Sequence, residues 1–386
     1  MSLISPVDIR YSYQAVESIV YEWARYLTNE GFDATVLIPD TLNRGMPLRR
    51  DADDIEERYY GVPKKSIKNN VLRYGFVHKT NFYTGLPKGD VVFFPITFYD
   101  YLPNMFAKPR GQKYIMGNMG MTLFPGSHMS SEHQFLEGIQ RIMIKRAIFS
   151  DKEKRSNIFF HVINQRQKQH LIEQIGIDKS KIFHIPAHVD TSAYHLGVSD
   201  SNDLKVVHIG GKGKNAQLLV DVIKALIANG KIDGLKFYFI GREEPQELFN
   251  YVGKTSNVSY LGYISDAEKI EILAKSDVLV IPDHNEAFAK VMLEGLASGL
   301  ALLVDSWNPV IASLISDGAF AYTGIVGDQK SYADALIRLA EMKRSDAKAF
   351  EQGKKKNRNL AVIKFDEKVV FKLVKEMFLA VSESND

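Results

Sequence analysis

Cysteine is absent from the chain, which excludes disulfides, zinc-thiolate sites and thiol nucleophiles. A charge bias is absent too: 49 basic against 46 acidic residues leave a net +3, too little to argue for nucleic acid as a partner. No apolar run approaches the roughly 20 residues that span a bilayer. The opening MSLISPVDIRYSYQ has neither a basic leader nor an apolar core segment, so the expectation is a soluble, cytoplasmic protein. Solenoid-length repeats and low-complexity tracts are missing as well.

What is present is alternation. With 386 residues the chain is too long for one ordinary core, and each half reads as a strand-helix-strand fold of mononucleotide-binding type. In the first half, strands are expected at 2–9, 33–38, 90–96, 113–117, 158–163 and 181–186, with helices near 16–27, 99–108 and 165–176. In the second, strands are expected at 205–210, 235–241, 257–264, 277–281 and 301–305, and helices near 216–227, 267–274, 287–298, 331–341 and 366–381. Residues 40–70 are polar and read as a charge-dense loop.

The stretch from Ile281 to Gly299 organises the second half. A β-branched run, Val278-Leu279-Val280-Ile281, leads through a polar loop into a helix that Gly299 ends. Glu286 stands at the mouth of that helix and Glu294 eight residues on. At helical rise the two carboxylates lie roughly 12 Å apart along the axis. That reach suits the two ends of a nucleotide-sugar, because a carboxylate accepts hydrogen bonds from vicinal hydroxyls. Further upstream, Gly210-Gly211-Lys212-Gly213-Lys214-Asn215 forms a glycine-rich turn with two lysines at a helix start, which is chemistry for a diphosphate. It is neither a Walker loop nor a Gly-x-Gly-x-x-Gly fingerprint.

Glu286-Ala287-Phe288-Ala289-Lys290-Val291-Met292-Leu293-Glu294, followed by Gly-Leu-Ala-Ser-Gly, resembles the Glu-seven-Glu signature of retaining GT-B glycosyltransferases, family 4 in particular. Residues 186–191 are similar to that family's crossing into its second domain. The resemblance implies an α/β fold of GT-B type, with two Rossmann-like domains facing each other across a cleft. The first would take 1–190, on the acceptor side, joined by the C-terminal helix 366–386. The second, 191–365, would hold the nucleotide-sugar donor.

The implied reaction moves a hexose from a nucleotide-diphosphate sugar, UDP or GDP type, to a sugar, glycan or lipid-linked acceptor. No metal and no separate cofactor are implied. Glu286 would orient the hexose and Glu294 the ribose; Lys214, Lys212 and Gly211 would face the diphosphate; and Tyr263 would meet the base. Arg242, just past a strand end, is a lesser phosphate candidate. By the resemblance, Ala287, Phe288 and Ala289 would line the donor where the family has Gly-Phe-Gly, and two added methyl groups would narrow the pocket if those glycines let the backbone approach the sugar or phosphate.

The first half departs further. Tyr11-Ser12-Tyr13-Gln14 replaces the family's glycine turn, and Tyr13 and Gln14 either cap the first helix or touch the acceptor. Met119 stands near the family's histidine, leaving Asn118 as an acceptor-side hydrogen-bonding group. Asp51-Ala52-Asp53 lacks a preceding apolar strand and reads as solvated surface rather than a metal grip, and His128 and His133 read as surface residues. The basic, apolar segment 141–155 fits a helix packed on its own domain better than one resting on an anionic membrane, a peripheral contact that stays open. Oligomeric state leaves no mark. Two alternatives share the donor site: a GT-B nucleotide-sugar epimerase, and a catalytically silent sugar-nucleotide-binding protein.

Overall fold

Short β-branched and aromatic runs alternating with amphipathic segments have one economical arrangement, open sheets covered by helices. The computed structural model describes residues 2–4, 15–40, 49–50, 56–61, 91–94, 113–118, 157–197, 201–210, 214–242, 245–283, 290–308, 310–325 and 327–384. The chain divides into two units, Met1–Pro186 with Phe371–Asp386, and Ala187–Val370.

The first unit carries a sheet of eight strands: β1 Ser2–Ile4, β2 Thr35–Asp40, β3 Arg49–Arg50, β4 Glu56–Gly61, β5 Val91–Phe94, β6 Lys113–Asn118, β7 Ile158–Val162 and β8 Ile182–His184. Their order is β3-β4-β2-β1-β5-β6-β7-β8, and β3 with β4 is the one antiparallel pair among the described residues. Helix α1, Ala15–Asn29, follows β1 and buries Val20, Trp23, Ala24 and Leu27 at helical spacing. The Trp23 ring lies 5.2 Å from that of Phe93 and 5.3 Å, edge-on, from that of His161. His161 is wholly buried and hydrogen-bonded through Nε2 to the Ile185 carbonyl at 2.9 Å.

One expectation is corrected in this unit. Polar Glu56-Glu57-Arg58-Tyr59-Tyr60-Gly61 lies in the stretch read as loop, yet it pairs in parallel with all of β2. Backbone groups make that ladder, so side-chain polarity alone does not forbid it. Asp51, Asp53, His128, His133 and the segment 141–155 lie outside the described residues.

The second unit is a six-stranded parallel sheet, β9 Leu204–Ile209, β10 Leu235–Ile240, β11 Val258–Gly262, β12 Val278–Ile281, β13 Ala301–Asp305 and β14 Ala321–Gly324. Its order is β11-β10-β9-β12-β13-β14, the doubly wound arrangement of a Rossmann fold. Alternate residues of each strand feed two cores. Val206, Val278, Val280 and Leu303 pack on one face with α3 Ala216–Ala228 and α7 Gln329–Ser345. Val207, Leu279, Ile281 and Leu302 pack on the other with α5 Lys290–Ala297. The remaining helices are α2 Gln165–His170 in the first unit, and α4 Asp266–Ala274, α6 Ile311–Ser316 and α8 Ala347–Leu360 in the second. The last, α9 Glu367–Glu383, begins in the second unit and ends in the first, where Phe378 meets Phe93 at 6.1 Å and Lys375 pairs with Glu30 at 2.6 Å. No helix among the described residues is long and apolar enough to cross a membrane.

An ionic cluster is buried where β12 begins. Asp277, 0% exposed, accepts from the Lys205 backbone N–H at 2.9 Å and from Lys343 Nζ at 2.7 Å, with Lys354 Nζ 3.8 Å away. Removing one partner of such a group strands a charge in the interior. Lys343→Met should therefore lose about 3–5 kcal/mol of stability, read from the midpoint of a denaturant unfolding curve.

Candidate functional site

In an open parallel sheet, ligands bind beyond the carboxyl ends of the strands, at the point where strand order reverses. Here that point lies between β9 and β12, which pair in parallel through Val206 and Val207. Beyond β9, the N–H of Gly210 donates to the Ile240 carbonyl at 2.9 Å. A Cβ at 210 would stand 2.7 Å from Lys214 Cβ and 3.3 Å from His208 Nε2, so glycine is what lets the lysine stem cross here. Asn215 then takes a left-handed backbone, φ 53°, a conformation that asparagine tolerates better than most residues. Its Nδ2 donates to the Pro282 carbonyl at 2.9 Å, tying the turn after β9 to the loop after β12. Helix α3 starts at the next residue, and its first N–H groups have no partners within the helix.

Lys214 Nζ lies 3.8 Å from Asp283 Oδ2; the lysine side chain is 46% exposed and the aspartate 10%. Burial lowers the lysine pKa, and the aspartate opposes that shift. Beneath them is His208, buried, with Nδ1 3.2 Å from the Val280 carbonyl. A carbonyl only accepts, so Nδ1 carries the hydrogen and Nε2 a lone pair, which has no hydrogen-bond partner among the described residues. Burial depresses the His208 pKa to about 4, and the ring is neutral at pH 7.

A second group lies between α4 and α5. Helix α4 opens on a capping box in which the Ser265 and Glu268 side chains satisfy each other's backbone N–H groups. One turn in, Lys269 Nζ reaches Glu294 Oε1 at 2.9 Å and Asp266 Oδ1 at 3.0 Å. Glu294 is 5% exposed. The Tyr194 hydroxyl also bonds it, and burial first, then the glutamate's charge, raises the tyrosine pKa. Tyr263 stands just past β11, where Gly262 turns with φ 68°, and is 74% exposed. The Arg242 guanidinium, just past β10, covers its ring at 4.3 Å.

Of the residues the sequence singles out, Lys214, Tyr263 and Glu294 are thus on the carboxyl side of one sheet, following β9, β11 and β12. Asn118 closes β6 of the first unit opposite Val162. Gly211, Lys212, Glu286, Ala287, Phe288, Ala289, Tyr13 and Gln14 lie outside the described residues. Four residues that sequence reasoning passed over, His208, Asp283, Lys269 and Tyr194, take part in the polar groups just described. His208 and Asp283 carried a faint signal, as polar residues at the ends of apolar strands. Lys269 and Tyr194 meet Glu294 from elements 25 and 100 residues away in sequence, counted as 294 minus 269 and 294 minus 194.

Solved structures of the same architecture include sucrose-phosphate synthase from Thermosynechococcus elongatus, 14% identical, TM-score 0.72, covering 98% of this chain and 99% of that one. WaaG, a glycosyltransferase involved in lipopolysaccharide biosynthesis, is 12% identical with TM-score 0.64, covering 97% and 99%. Anabaena HepE, solved in complex with UDP-glucose, is 12% identical with TM-score 0.61, covering 99% of each chain. Among curated proteins no sequence matches this chain. The fold is therefore GT-B, built from two α/β units with parallel sheets. Residues 197–356, which run from before β9 into α8, match the family described as Glycosyl transferases group 1. The chain is a glycosyltransferase.

The neutral His208 ring makes the second unit sensitive to acid. Its pKa falls from the ordinary 6.5 to about 4 on folding, so the unfolded chain binds more protons between those values and stability drops as pH is lowered through that window. The loss approaches about 3 kcal/mol near pH 4. Unfolding curves of His208→Phe between pH 7 and 4 should show a shallower decline than those of the wild type.

Proposed function

We propose that the protein transfers a hexose, with retention, from a nucleotide-diphosphate sugar of UDP or GDP type to a sugar, glycan or lipid-linked acceptor. The observation that carries this reading is the buried carboxylate of Glu294, on the helix that follows β12 at the strand-order reversal. A carboxylate there suits ribose hydroxyls, and Lys214 at the start of α3 suits the diphosphate. That HepE was solved with UDP-glucose supports a donor of this class.

In this mechanism positive charge develops at the anomeric carbon while negative charge collects on the departing diphosphate. Lys214, Lys212, Gly211 and the free N–H groups of α3 stabilise that negative charge, and fixed donors of this kind act most strongly where charge appears in the transition state. The incoming phosphate competes with Asp283 for the Lys214 ammonium. Glu286 orients the hexose beside Ala287, Phe288 and Ala289, Glu294 holds the ribose, and Tyr263 stacks the base. The leaving phosphate takes the acceptor's proton, so no side chain need act as general base. Tyr13, Gln14 and Asn118 serve the acceptor, and no metal or cofactor takes part.

A thermal-shift screen of the full chain against UDP, GDP, ADP and their glucose-type sugars, with and without magnesium, tests the donor. A ligand at a hundredfold its dissociation constant adds about 2.7 kcal/mol, enough to move the melting point clearly. Glu294→Ala should weaken both free nucleotide and nucleotide-sugar about tenfold or more, as expected for a lost charge-assisted hydrogen bond. Glu286→Ala should leave the free nucleotide unaffected and weaken only the sugar form. Equal losses for both ligands in both variants would overturn the assignment of the two glutamates. The absence of any nucleotide-induced shift would overturn the donor reading itself.

A further inference from the structure

If Glu294 faces a ribose, it does not do so alone. It forms a close pair with Lys269, and the pair is built by two separate helices, α4 and α5. Three details set this pair apart from a structural ion pair buried in a core. The Lys269 side chain is 18% exposed, so it is not wholly enclosed in apolar packing. Its second carboxylate partner, Asp266, is 91% exposed and adds little holding energy. Finally, an ammonium has three N–H donors, and Glu294 and Asp266 take two, so one is left over among the described residues.

The acceptor side shows the same surplus. A carboxylate offers about four lone-pair sites. Among the described residues, the Glu294 carboxylate meets Lys269 and the Tyr194 hydroxyl, which leaves acceptor capacity beside the spare donor. A lone carboxylate can only accept and a lone ammonium can only donate. Side by side, they match a vicinal diol, in which each hydroxyl does both.

We propose that Lys269 and Glu294 form a single reader of the ribose diol, with Lys269 the residue that makes the site select ribose over deoxyribose. This rests on the donor reading above. Glu294 accepts from the 2′ and 3′ hydroxyls, and the spare Nζ–H donates to the 2′ oxygen. Tyr194 holds the same carboxylate with its hydroxyl. A 2′-deoxy ligand leaves that donor facing nothing, which is the basis of strong discrimination between a substrate and its analogue lacking one hydroxyl.

The test is isothermal titration of the full chain with UDP, GDP and ADP and with the 2′-deoxy form of each. For the diphosphate that binds, the wild type should prefer the ribose form about tenfold or more, the size of one charge-assisted hydrogen bond. Lys269→Met should weaken the ribose form and leave the deoxy form nearly unchanged, so that the preference collapses. Lys269→Arg, which keeps a cation and donors, should retain much of it, and Lys269→Gln replaces the methionine variant if circular dichroism shows the latter unfolded. A wild type that binds ribose and deoxyribose forms equally would overturn this proposal and leave the donor reading intact. Equal weakening of both forms in Lys269→Met would reduce the lysine to a structural role and overturn it too. Failure of all three ribose diphosphates to bind the wild type would overturn both.

Discussion

Everything at the carboxyl end of the second unit's sheet depends on how β12 is fastened to β9. The pairing registers Val278 with Val206 and Leu279 with Val207. Asp277 extends it by one residue at the amino end, donating its N–H to the Lys205 carbonyl at 2.8 Å and accepting the Lys205 N–H on its side chain at 2.9 Å. With the register fixed there, the strands deliver Gly210 and Pro282 together at the other end, where the Asn215 amide joins the two loops. A slip of one residue would turn every apolar side chain of β12 to the opposite face. The two lysines drawn toward Asp277 come from α7 and α8, so the same carboxylate also anchors the late helices.

The carboxyl end of the sheet has a different electrostatic character. Asp277 sits in a closed cluster with its cations, whereas Lys214 is half in water and 3.8 Å from Asp283. Beneath it, His208 contributes no charge at neutral pH, because burial holds its pKa near 4. The positive charge that Lys214 carries there is therefore not added to by the imidazole.

Much of this was legible in the sequence, and the reasons differ from element to element. The apolar runs at 278–281 and 301–305 announced buried parallel strands, because both faces of such a strand must be covered. The Glu-seven-Glu spacing and the lysine-bearing glycine turn pointed to Glu294 and Lys214, of which the first lies on the helix after β12 and the second just before α3. β4 was not legible, because a strand of Glu, Arg and Tyr is defined by its backbone partner and leaves no apolar period. The long α8 was passed over for a related reason: its sequence AKAFEQGKKKNRNL is mostly polar, and Phe350, Lys354 and Asn357 are buried through specific tertiary contacts. The Lys269 and Tyr194 contacts to Glu294 were illegible because no local pattern records which distant residues converge on a carboxylate.

The path of α9 has a consequence for the order in which the protein is completed. Residues 187–370 make up the second unit without interruption, whereas the first is made from two pieces of chain separated by that whole unit. Phe378 packs against Phe93, and Lys375 pairs with Glu30, so the first unit is finished by residues made only after the whole second unit. During synthesis the amino-terminal sheet must wait, part of its apolar surface uncovered, while the segment translated after it already has every strand of its own sheet.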